Sequence, residues 1–283
     1  RQWLATTRYG IRSFDDIDEV DSLYVMTFST GAPLLINHIA DLKSPEKKLK
    51  GAVMISAAIK AKNRLAFLAP AAQYFVPWST VFPEEDAVRY ETFSTHAAAE
   101  FYKLTKNLLD KKYRFKLPLF IAISADDDTV SAEAALKYFC SAETDTKRMV
   151  WYQHADTNKK EKLAYFDEGK GACKQNIFVR EAEEIGLPDY YKSFAHTALS
   201  VPPSDPHYGV NGAYKQCKHY FEDKDFKEFE ECKRAVLPSF VVGETTDSFK
   251  ERYGGIKSIR RGVYNPDYET METEIFSFIG SID

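Results

Sequence analysis

The stretch Leu23-Tyr24-Val25-Met26-Thr27-Phe28-Ser29-Thr30-Gly31-Ala32-Pro33-Leu34 restricts the folds open to this chain more than any other. A β-branched and aromatic run stops at a Ser-x-Gly corner, and apolar residues at helical spacing (Leu34, Leu35, Ile39 and Leu42) begin at once. Pro33 suits the first turn of that helix, where its missing N–H is no loss. A strand that turns straight into a helix is the start of a βα unit, and such units build parallel sheets. Within the corner, Thr27-Phe28-Ser29-Thr30-Gly31 is a G-x-S-x-G pattern with Thr at its first position. Small residues flank such a serine because a sharp strand-to-helix turn crowds the backbone and leaves Oγ exposed above the sheet. A Ser-x-Gly corner also occurs where no chemistry follows, so by itself it leaves both readings open.

The alternation continues downstream. Gly51–Ser56 is apolar on both faces, as a central parallel strand should be. Lys116–Ser124, interrupted early by Pro118, and Arg148–Tyr152 read as further strands. Helical patterns cover His96–Leu109 and Ser131–Cys140, and Asn265-Pro266-Asp267 opens a closing helix with Met271, Ile275, Phe278 and Ile279 as its buried stripe. This predicts an α/β fold over residues 1–283, a mostly parallel sheet with helices on both faces. Between residues 153 and 260 the pattern weakens into irregular insertions, and the charged run Glu222–Lys233 reads as a solvated helix or loop.

Composition excludes several classes. A formal net charge of −4 gives no basic footprint for nucleic acid. No apolar run approaches the roughly 20 residues that span a bilayer. Cys140, Cys173, Cys217 and Cys232 lack the C-x-x-C spacing of a zinc site, and no metal or cofactor is expected. They read as buried thiols, with a Cys217–Cys232 bridge left open and the compartment with it.

Two later features bear on Ser29. Asp126-Asp127-Asp128-Thr129-Val130 sits at the C-terminal end of a buried strand, where open α/β sheets place ligands and catalytic groups. A carboxylate there can orient a histidine, or it can simply cap the next helix. Of the six histidines, His196 in Ser193-Phe194-Ala195-His196 is the leading base, and His207 is the runner-up. The order Ser29, Asp127, His196 is the Ser…Asp…His order of the α/β-hydrolases.

On these residues the chain resembles α/β-hydrolases of the bacterial esterase, lipase and lysophospholipase type, near the monoglyceride-lipase and serine-aminopeptidase-like branch. Matching pieces are Phe28-Ser29-Thr30-Gly31, Asp127-Asp128-Thr129-Val130 in a D-x-x-V pattern, and Ser193-x-x-His196. Arg89–Phe93 with the Ala-rich helix after it resembles the end of a cap, so residues 58–115 are the expected cap region. Arg261-x-x-Tyr264-Asn265-Pro266-Asp267 resembles the family's last element.

The resemblance implies a serine hydrolase of lipid or small acyl esters, with Ser29 as nucleophile, His196 as base, Asp127 as orienting acid and the Thr30 N–H in the oxyanion hole. It also implies strands upstream of the elbow that this chain does not carry. A second chain completing the sheet is one way to supply them. A non-catalytic binding protein and a serine peptidase are the alternatives.

Overall fold

The computed structural model describes residues 2–42, 46–82, 84–154, 171–221 and 226–282. In chain order its strands are β1 (Leu23–Phe28), β2 (Leu49–Ile55), β3 (Trp78–Thr80), β4 (Phe93–Ser94), β5 (Leu119–Ser124), β6 (Lys147–Gln153), β7 (Ile177–Glu181), β8 (Phe240–Gly243) and β9 (Ser258–Arg261). Five of them form the central sheet in the order β1-β2-β5-β6-β7, every neighbouring pair parallel. β5 starts one residue after Pro118, which has no N–H to give the ladder and offers only its carbonyl, to Ala52 N–H at 2.9 Å.

Side chains alternate across this sheet, and both faces are covered. Leu119, Ile121 and Ile123 of β5 face one core with Met149 and Trp151 of β6. Helices Gly31–Ala40, Thr95–Lys111 and Ala132–Ser141 close it with Leu35, Ile36, Leu108, Leu136 and Phe139. Phe120, Ala122, Val150 and Tyr152 face the other core, closed by Met271, Ile275 and Phe278 of the helix Tyr268–Gly280. The helix starts are written locally: Ser94 and Ser131 accept the N–H groups of Ala97 and Ala134.

From residue 171 onward the chain is more ordered than its sequence suggests. β7 lies there as an outer strand, with Arg180 bidentate on the buried Asp267 at 2.9 and 2.7 Å. β8 and β9 form a parallel pair of their own, joined to Tyr191 by a bridge at Val242. The charged run Glu222–Lys233 lies partly outside the described residues. From its described part, Lys227–Arg234 is a helix that buries Phe229 and Cys232.

The cysteines correct the expectation of thiols. Cys140 is bridged to Cys173 and Cys217 to Cys232, with Cα separations of 5.3 and 6.1 Å, inside the span a disulfide requires. Spacing in sequence hinted at the second pair only. The first joins partners 33 residues apart, brought together by the fold.

The region 58–115 and the later insertion hold one another. Asp86 accepts hydrogen bonds from Tyr208 and pairs with His207, Glu91 meets Tyr214 and Lys218, and Glu85 meets Lys233.

Candidate active site

Ser29 ends β1 and leads into the helix Gly31–Ala40. Its φ is +51°, in the left-handed region that residues other than Gly seldom adopt. Surrounding hydrogen bonds over-determine that conformation. Ser29 N–H donates to Ile55 O at 3.0 Å, and Ser29 O accepts from Ala32 and Ala58, each at 3.1 Å. Thr27 fits the first position of the motif because the glycine after the serine makes room. A Cβ on Gly31 would lie 3.1 Å from Thr27 Cβ. Thr27 Oγ1 turns to Val53 O at 3.3 Å.

The structure brings Ser29, His196 and Asp127 together. His196 Nε2 is 2.9 Å from Ser29 Oγ, and His196 Nδ1 is 2.6 Å from Asp127 Oδ2. Asp127 and His196 are buried, and Asp127 Oδ1 accepts the N–H groups of Thr129 and Val130 at 2.8 and 2.9 Å. A carboxylate accepts only, so Nδ1 carries the hydrogen facing Asp127 and Nε2 is left to accept the Ser29 hydroxyl. Phe28 packs against the imidazole, ring centroids 5.4 Å apart. The Thr30 N–H heads the helix and has no hydrogen-bond partner among the described residues.

Several side chains that fix this arrangement escaped the sequence. Ser56 Oγ, at the end of β2, donates to His196 O at 2.9 Å, and Ser124 Oγ, at the end of β5, donates to Phe194 O at 2.8 Å. Asp126 Oδ2 accepts the Phe194 N–H at 3.1 Å, and Ser193 Oγ accepts the Glu244 N–H at 2.6 Å. The available signal was a polar residue closing each of two adjacent apolar strands. Glu244 Oε1 accepts the Asp128 N–H, and Arg261 grips Glu244 at 2.9 and 3.0 Å. Burial, reinforced by the Glu244 carboxylate, pushes the Asp128 carboxyl upward from its ordinary value.

The remaining histidines lie elsewhere. His207 pairs with Asp86 at 3.0 Å, and His38 is buried behind the elbow with Glu46 at 3.0 Å. His219 is half-buried, and loss of water around its ring, with Lys250 nearby, drives its pKa down to about 3. Among the described residues no cluster of His, Cys, Asp and Glu could hold a metal ion, and no helix is long and apolar enough to cross a membrane.

No family model and no curated protein matches the chain. Among solved structures it resembles lipases and esterases. A monoacylglycerol lipase of Paleococcus ferrophilus aligns with 53% of this chain and 65% of its own, at 15% identity and a TM-score of 0.42. A soluble variant of the Saccharomyces cerevisiae monoglyceride lipase covers 53% and 57% at 14% identity and a TM-score of 0.39. A Pyrococcus furiosus esterase covers 52% and 51% at 18% identity and a TM-score of 0.33. The chain thus spans less than two thirds of each of these relatives.

Proposed function

We propose that the chain is a serine ester hydrolase of the α/β-hydrolase type, acting on carboxylic esters of a lipid or a small acyl group. The observation that carries this reading is one line of hydrogen bonds, Ser29 Oγ to His196 Nε2 at 2.9 Å and His196 Nδ1 to Asp127 Oδ2 at 2.6 Å, at a serine held at φ +51°.

In this reading His196 Nε2 takes the Ser29 proton as Oγ attacks the ester carbonyl carbon. Charge collects on the former carbonyl oxygen, where the Thr30 N–H donates. Losing such a donor typically costs about 2.7–4 kcal/mol of barrier. As the tetrahedral centre collapses, the bond to the leaving alcohol breaks and His196 returns the proton to that oxygen. Water repeats the sequence on the acyl-enzyme and releases the acid. Asp127 holds the ring and stabilises its charged form.

Residues 58–115 act as a cap in this reading. Exposed Phe67, Tyr74, Phe75 and Trp78 support that role, since they offer apolar surface to an acyl chain. Among the described residues β1 pairs only with β2, which supports a further polypeptide strand pairing along its other side. Labelling with a fluorophosphonate tests the nucleophile: the adduct should map to Ser29 and vanish in Ser29→Ala. An unlabelled wild-type protein would sink the hydrolase reading.

A further inference from the structure

A cavity of about 370 Å³ lies between the loop around residues 209–216, the end of the helix Lys227–Arg234 and the β8–β9 pair. One wall is aromatic, from Tyr190, Phe240 and Tyr264, and another is cationic, from Lys215, Arg234 and Arg260. Among the described residues no Asp or Glu lines it.

Among the described residues none of these three cations pairs with a carboxylate, and two of them, Arg260 and Lys215, are withdrawn from water. Arg260 is only 8% exposed, and its hydrogen bonds go to neutral carbonyls. Its Nε and Nη2 donate to Cys232 O at 3.0 and 2.8 Å, and Nη2 also reaches the carbonyls of Lys233 and Ala235. The guanidinium carbon lies 4.1 Å from the centre of the Phe240 ring. Its Nη1 has no hydrogen-bond partner among the described residues. Lys215 Nζ donates to Gly212 O at 2.6 Å and meets no carboxylate among the described residues.

The next residue along β9 supplies a contrast. Arg261 is also withdrawn from water, but Glu244 offsets that and raises its pKa. Arg260 and Lys215 are instead pushed down, both by burial and Lys215 also by the Arg260 charge. Withdrawing cations from water with no opposite charge is costly. Capping the end of the helix accounts for Arg260 Nε and Nη2. It accounts for neither Nη1 nor Lys215.

We infer that this cavity binds an organic oxyanion, a carboxylate or phosphate monoester on an aromatic or apolar body, with Lys215 and Arg260 Nη1 meeting the charge. Tyr190, Phe240 and Tyr264 supply the wall for the body. Nothing in this assignment depends on the chemistry proposed for Ser29.

Calorimetric titration of the full chain with phenyl phosphate, benzoate and inorganic phosphate is the test. At least one of the two organic probes should bind, and more tightly than inorganic phosphate. Lys215→Met should weaken that probe about tenfold or more, the loss of one charge-assisted hydrogen bond. Lys215→Arg should keep the affinity, and both variants should hydrolyse a p-nitrophenyl ester as the parent does. Which probe wins separates carboxylate from phosphate. The assignment is overturned if neither organic probe binds at millimolar concentration, if Lys215→Met binds like the parent, or if inorganic phosphate binds as well as the better organic probe.

Discussion

Asp126 and Asp127 are adjacent carboxylates with separate tasks: one takes the Phe194 main-chain N–H, the other the His196 ring. Asp126→Ala leaves a buried N–H without its acceptor, at a cost of about 1–3 kcal/mol. We expect a lower denaturant midpoint together with a reduced kcat at little change in KM, whereas Asp126→Asn, which keeps an oxygen there, should stay close to the parent. An alanine variant with unchanged kcat would show that the His196 segment holds its place without this bond. For the proposed triad, Ser29→Ala and His196→Ala should each lower ester hydrolysis by at least about a thousandfold, and the double variant should cost little more. Asp127→Asn should cost less than either, because it disturbs mainly the tautomer. Additive losses in the double variant would mean that the residues do not act as a unit. That Ser29, Asp127 and His196 meet was legible because a local motif, a strand end and a chain order coincide. Ser56, Ser124 and Glu244 were not, since each acts on the main chain of a segment distant in sequence.

At the scale of elements, the buried strands announced themselves and the outer one did not. β5 is buried along its whole length and is almost wholly apolar in sequence. β7 reads Ile177-Phe-Val-Arg-Glu, half exposed and ending in two charges, so neither periodicity nor composition separates it from a loop. Those charges suit an edge. Arg180 fastens β7 to Asp267, which also accepts the Tyr152 hydroxyl at 3.1 Å. Arg180→Ala should therefore lower unfolding stability by roughly 1–3 kcal/mol, read from urea denaturation. No change would mean that the pair is worth nothing net. The opposite edge lacks this protection: β1 is Leu-Tyr-Val-Met-Thr-Phe without a charge, and it pairs only with β2 among the described residues. If a further strand pairs there, the β1 amides that point away from β2 should be protected from hydrogen exchange. Exchange at the rate of an open loop would argue against it.

Across the whole molecule, the two excursions from the sheet are held to each other by buried charge. Burial opposes ionisation of Asp86, but the Val88 N–H, Tyr208, His207 and Arg89 outweigh it and hold its carboxyl well below the ordinary value of 3.8. The stability this group adds is present above that value and lost as the pH falls below it. The parent and Asp86→Asn should therefore differ most at neutral pH and converge in acid, as followed by thermal unfolding across pH. A gap that widens on acidification would reverse the assignment. This clasp was invisible in the sequence because its partners lie more than a hundred residues apart, as with Asp86 and Tyr208 at a separation of 122.

Cys232 stands at a junction of two of these features: its sulfur is joined to Cys217, while its carbonyl is the anchor of Arg260. The helix end that shapes the cationic wall is therefore moored through a bond that a thiol reagent can open, and none of the side chains bonded to Ser29, His196 or Asp127 shares that mooring. Samples kept in dithiothreitol and samples kept without it should behave as two different preparations of one protein. They should turn over a p-nitrophenyl ester at the same rate, yet only the oxidised one should take up phenyl phosphate or benzoate. Equal uptake by both would place the mooring elsewhere.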